Sequence, residues 1–65
     1  MPIVSVQLLA GRTQEIKDKI ANEITDSIAK HASVDKNHIY VLFNDVEPQD
    51  WAVGGTFFAA RNTAK

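Results

Sequence analysis

Apolar and polar positions alternate from Ile3 to Leu9 (IVSVQLL), with Val4, Val6 and Leu8 on one face and Ile3, Ser5 and Gln7 on the other. A period of two in a stretch rich in β-branched residues predicts a strand. Gly11 ends it, with Arg12 at the break. The period then changes. Ile16, Ile20, Ile24 and Ile28 recur every fourth residue, with Ala21 and Ala32 beside them, while Lys17, Lys19, Glu23, Asp26 and Lys30 take the remaining surface. Such a stripe predicts an amphipathic helix of about 18 residues, roughly 27 Å long. Thr13 stands where an N-cap belongs. Glu15 in the first turn and Lys30 and His31 in the last suit the two ends of the helix dipole. A full capping box is missing, because Ile16 occupies the position that needs Glu or Gln.

A polar connection, Ser33 to Asn37, leads into a second alternating run from His38 to Asn44 (HIYVLFN). Ile39, Val41 and Phe43 share one face and Tyr40 and Leu42 the other, so both faces are mainly apolar, the pattern of a strand covered on both sides. Pro48 in the following VEPQD forbids a regular ladder there. Trp51 and the Gly54-Gly55 pair come next, then the apolar TFFAA segment and a polar tail. Two glycines beside alternating apolar residues predict a tight turn or small hairpin. No repeat, linker or low-complexity stretch interrupts the chain, which reads as a single domain over residues 1–65.

Strand, helix and strand in this order form a β-α-β unit with parallel strands and a right-handed crossover, an α/β arrangement closed by the short C-terminal hairpin. One helix covers one face of a two-stranded sheet. Nothing else in the chain is available for the other face, so a second subunit must cover it. Trp51, Val53, Phe57 and Phe58 would likewise be left as an apolar patch, which marks an interface. Length points the same way: a chain of about 60 residues buries only ~60% of its unfolded surface and is marginal alone. Small domains compensate with disulfides, metals or oligomerisation. This chain has no cysteine, two histidines and no carboxylate cluster at ligand spacing, so self-association is the expected route.

Composition removes other classes. A net charge of −1 offers no basic footprint for nucleic acid. No apolar run approaches the ~18–20 residues of a membrane span. The N-terminus lacks the basic and long apolar regions of a signal peptide, which predicts a cytoplasmic, reduced location.

Few residues remain for chemistry. Pro2 either opens an edge strand, where its missing N–H costs nothing, or becomes the terminus once Met1 is removed. In the second case its nitrogen is a secondary amine. An ordinary α-amino group titrates near ~8. Burial in an apolar pocket beside an Arg lowers that value, since both disfavour the ammonium. A base near neutrality can move a proton from one position of an enol to another. Arg12 is either a solvated turn residue or a fork that holds a carboxylate bidentately. Trp51 is either core or interface, or the roof of a pocket that excludes water. His31 and His38 lie on different elements and suit surface or capping roles.

Taken in register, the opening MPIVSVQLLAGRT, the helix and the DVEPQDWAVGG segment resemble the 4-oxalocrotonate tautomerase family over about residues 1–58. The resemblance implies a β-α-β subunit, pairs of which form a four-stranded sheet with two helices. It implies a hexamer of three such dimers, with a lone dimer as the alternative. It also implies Pro2 as general base in keto–enol tautomerisation and Arg12 as the carboxylate ligand, often supplied by a neighbouring subunit. Trp51 would be the apolar pocket wall at a position usually held by Phe. The substrate class implied is a small 2-hydroxy-enoate or 2-oxo acid, and neither cofactor nor metal is required.

One position departs from the pattern. Where dienoate-processing members carry a second arginine on the second strand, this chain has Tyr40, which can donate a hydrogen bond but brings no charge. A dicarboxylate held at both ends is therefore disfavoured against monocarboxylate enols such as aryl enolpyruvates. Two other readings stay open: a non-catalytic homo-oligomeric binder of small ligands on the same fold, and a hydratase, dehalogenase or decarboxylase using Asp45 or Asp50 to activate water.

Overall fold

The computed structural model describes residues 1–61; the polar tail beyond them lies outside the described residues. Strand β1 spans Ile3–Leu9, as the alternation predicts. Helix α1 spans Gln14–Ala32, 19 residues, and its N-cap is Thr13, whose side chain accepts from the Ile16 N–H at 3.2 Å. The helix ends where Ser33 turns left-handed at φ 57° and its N–H reaches back to the Ala29 carbonyl. Strand β2 spans Tyr40–Val46 and runs parallel to β1, with Ile3 opposite Tyr40 and Leu9 opposite Val46.

The second strand thus starts and ends two residues later than the His38–Asn44 pattern predicts. Its start is delayed by the Asp35 side chain, which accepts from the Asn37 N–H at 2.9 Å and opens a 3₁₀ turn over Lys36–His38. His38 and Ile39 donate their N–H groups back into that turn, to the carbonyls of Asp35 and Lys36, and are lost to the ladder. At the far end, Asp45 and Val46 continue the pairing against Leu8 and Leu9. Only the bounds move: Val41 and Phe43 still share one face and Tyr40 and Leu42 the other.

After a second 3₁₀ turn at Pro48–Asp50 the chain forms the expected hairpin: β3, Ala52–Val53, antiparallel to β4, Thr56–Phe57. Gly54 and Gly55 at its tip have φ 61° and 89°, the two positive values that a type I′ turn requires. The last described element, α2 at Phe58–Arg61, begins with the Phe58 N–H donating to the Trp51 carbonyl at 2.8 Å.

The rows Val4/Val41, Val6/Phe43 and Leu8/Asp45 face α1, and their apolar members are half-buried, as are Ile20, Ile24 and Ile28 of the helix stripe. Ile16 is 44% exposed. The helix, about 28 Å long, outruns strands of about 23 Å. The opposite face carries Ile3/Tyr40, Ser5/Leu42 and Gln7/Asn44 and is open: Ile3, Tyr40 and Leu42 are 64, 48 and 52% exposed. Its third row is polar, and there the Asn44 amide donates to the Gln7 side-chain oxygen at 3.0 Å, while the half-buried Leu9/Val46 row ends the face. No described residue is fully buried, and the molecule is a slab of 44 × 24 × 14 Å. A layer one helix and one sheet thick cannot enclose a core.

Candidate active site

Each candidate residue sits at one end of the strand pair. Pro2 precedes β1, and its carbonyl accepts the Tyr40 N–H at 3.0 Å, so the proline and the tyrosine are fixed side by side where both strands begin. Tyr40 lies on the open face in the same row as Ile3. Met1, still ahead of the proline, is 78% exposed.

Arg12 lies at the other end. Gly11, at φ 127°, turns the chain out of β1 in a region that disfavours any residue with a Cβ. The exposed arginine follows, and Thr13 then caps α1. Trp51 is on the segment that leaves the same end of β2. Its ring is half-buried against Phe58, with centroids 6.0 Å apart and planes tilted by 38°, while Val53 and Phe57 are 50 and 47% exposed. The apolar patch expected of the C-terminal segment is therefore split into a ring pair and two open side chains.

Seven residues of strand separate the two ends. At the rise of a β-strand this is roughly 23 Å, well beyond the reach of an arginine side chain. One chain brings together Pro2 with Tyr40, and sets Arg12 and Trp51 on the opposite side. It does not bring the pairs to each other, and no pocket forms among the described residues. The two pairs can meet only between two copies of the chain.

Electrostatics sharpen the contrast. Lys17 in α1 donates to the Asp45 carboxylate at 2.6 Å, and its side chain is only 17% exposed. This ion pair was not legible in the sequence, where Lys17 reads as surface and Asp45 as a candidate for activating water; the register that sets Asp45 opposite Leu8, on the helix side, is what joins them. Asp45 is thereby held in an ion pair against α1, at the same end of the strands as Arg12 and Trp51. On the surface, Lys36 pairs with Asp26 at 2.8 Å, and the hydrogen bond and charge of that carboxylate raise the ammonium above its ordinary value. Arg12 has no hydrogen-bonding or ionic partner among the described residues. Among those residues no group of three His, Asp or Glu side chains could hold a metal, and no helix is long and apolar enough to cross a membrane.

Comparison with known proteins agrees with this frame. The family model described as Tautomerase enzyme matches residues 2–61. A probable tautomerase of Ralstonia nicotianae is 47% identical over 58 residues, covering 89% of each chain. One of Lactococcus lactis is 54% identical over 46 residues, 71% of this chain and 75% of its own. Among solved structures, a 4-oxalocrotonate tautomerase isozyme from Methylibium petroleiphilum superposes with a TM-score of 0.93 at 30% identity, over 98% of this chain and 100% of its own. A subunit of a heterohexameric 4-oxalocrotonate tautomerase from Chloroflexus aurantiacus gives 0.85 at 27% identity, over 91% and 95%.

Proposed function

The chain belongs to the tautomerase family, with the 4-oxalocrotonate tautomerase fold, and on that premise we propose that it is a cofactor-independent keto–enol tautomerase whose base is the amine of Pro2, freed by removal of Met1. The observation that carries the reading is the extent of the family match, which begins on Pro2 and runs through Arg12, Tyr40 and Trp51 to residue 61.

In the reaction the neutral amine takes the proton from the enol hydroxyl. As the C–O double bond forms, the secondary ammonium delivers a proton to the carbon at the end of the enol or dienol. One O–H bond is lost and one C–H bond gained, with no redox change. Arg12 holds the carboxylate, which requires that it come from a second copy set against the Pro2 end of the first. Trp51 closes the apolar side and keeps water from the amine, so that the base stays neutral near pH 7. Tyr40, fixed beside Pro2 by the backbone bond, offers its hydroxyl to the substrate oxygen. With no second cation there, the substrate is a monocarboxylate enol, an aryl enolpyruvate before a dicarboxylate dienol. Self-association as a hexamer of three dimers supplies the shared sites and covers the open sheet face; the relative from Chloroflexus aurantiacus is itself a heterohexamer.

The test is a pair of measurements. Intact mass of protein made without an N-terminal tag should lack Met1, because its retention leaves an amide nitrogen with no basicity. Ketonisation of an aryl enolpyruvate should then fall by about 10²-fold in Pro2→Ala, the low end of the range for a general base, because the variant keeps a primary α-amine in place of the secondary one. Equal rates in both proteins would overturn the reading and leave a non-catalytic ligand binder. A wild type faster on a dicarboxylate 2-hydroxydienoate than on the aryl substrate would overturn the substrate assignment alone.

A further inference from the structure

The loop that carries Arg12 is anchored at both ends and free in the middle. On the strand side, the Ala10 N–H donates to the Val46 carbonyl at 2.8 Å. On the helix side, Thr13 caps α1 through its hydroxyl, and its carbonyl accepts the Lys17 N–H at 3.1 Å. Between them Gly11 takes a left-handed φ with open space where a Cβ would stand, and Arg12 is exposed. Packing against the loop does not set the direction in which Arg12 leaves the chain. That direction depends on where the first turn of α1 sits relative to the end of the sheet.

A single polar side-chain contact fixes that relation among the described residues: the 2.6 Å bond from Lys17 Nζ to Asp45 Oδ2. Lys17 is the residue whose N–H closes the first turn of α1 onto Thr13, and Asp45 is directly followed by Val46, the partner of Ala10. The bond therefore joins the two anchors of the loop to each other, forming a closed frame around Gly11 and Arg12. With its side chain only 17% exposed, the lysine is tucked under the helix rather than presented to a ligand.

From this geometry we infer that Lys17 and Asp45 are positioning residues for Arg12: their ion pair sets the angle at which the guanidinium meets the substrate carboxylate across the subunit boundary. The inference rests on the reading of Arg12 as the carboxylate ligand. Loss of the pair frees the first turn of α1 to shift against β2, and a bidentate contact is sensitive to shifts well below the length of a bond pair.

The experiment is steady-state ketonisation of an aryl enolpyruvate by wild type, Asp45→Asn, Lys17→Met, Arg12→Ala and the double variant Asp45→Asn/Arg12→Ala, each checked for oligomeric state. Asp45→Asn should raise KM about tenfold and leave kcat within about threefold, a split that general loss of structure would not produce. In the Arg12→Ala background the same change should have no further effect on KM, because Asp45 acts through Arg12. The exchanged pair Lys17→Asp/Asp45→Lys should recover most of the lost affinity, and it decides the matter if Asp45→Asn fails to assemble. An Asp45→Asn protein with wild-type KM, beside an Arg12→Ala protein with raised KM, overturns the positioning role alone. Equal and additive losses in the two backgrounds overturn it as well. Unchanged KM in Arg12→Ala would remove the carboxylate reading itself and this inference with it.

Discussion

The two ends of the β1–β2 pair are built differently. Where the strands begin, Pro2 and Tyr40 are joined by a backbone hydrogen bond, and the neighbouring Met1, Ile3 and Leu42 are apolar and largely exposed. Where the strands end, a backbone bond, a helix cap and an ion pair surround the loop of Arg12. The first end is left bare, and on the proposed reading a neighbour covers it and gives the Pro2 amine a dry setting. The second is braced from within, and on the same reading Arg12 there points at a ligand bound against another subunit. Neither end alone holds all four candidate residues.

The greatest loss is expected from Leu42→Lys. It places a charge on the open face beside Tyr40, and burying an unpaired charge is prohibitive. Sedimentation should show the assembly reduced to smaller species, with activity lost even though neither Pro2 nor Arg12 is touched. An intact, active assembly would mean that this face is not covered by another copy.

A sharper test uses the separation itself. Pro2→Ala is expected to lose most of its kcat, and Arg12→Ala to be slow at substrate concentrations well below its raised KM. Unfolded together at equal concentration and refolded, they should regain activity, because a site formed between a Pro2→Ala chain and an Arg12→Ala chain can contain one intact residue of each kind. With random mixing about a quarter of the sites would be whole. If base and carboxylate ligand came from the same chain, no mixture could recover.

The smallest effect concerns the surface pair near the start of β2. Lys36 has its pKa raised above the ordinary 10.5 by the hydrogen bond and charge of Asp26. A raised value in the folded chain means that the pair stabilises fully below the unfolded pKa and is lost as pH rises through the folded one. The melting-temperature difference between wild type and Lys36→Met should therefore hold from neutral pH up to about pH 10 and shrink above it. Both side chains are well exposed, so the difference should be small throughout.

Much of the fold was legible because it is local. The bounds of β1, the cap at Thr13 and the Gly54-Gly55 turn each follow from a residue acting on neighbours a few positions away. Strand β2 starts two residues later than apolar alternation predicts because Asp35 competes for Asn37 and draws the next residues into a 3₁₀ turn, a contest that alternation does not register. The ion pair of Lys17 and Asp45 and the amide pair of Gln7 and Asn44 were not legible at all. Their members lie 28 and 37 positions apart, and only the register of the strands and the seating of the helix bring them together.

By itself, then, the sequence determines the order and faces of the elements, the apolar stripe of α1, and the presence of Pro2, Arg12, Tyr40 and Trp51 in one short chain. Side-chain period and turn chemistry need no distant partner to act. Tertiary structure alone decides that those residues fall at opposite ends of a strand pair, because the distance between them depends on how the chain runs and not on how closely they follow in sequence. A slab of one helix and two strands, with no fully buried residue among those described, can close neither a core nor a pocket.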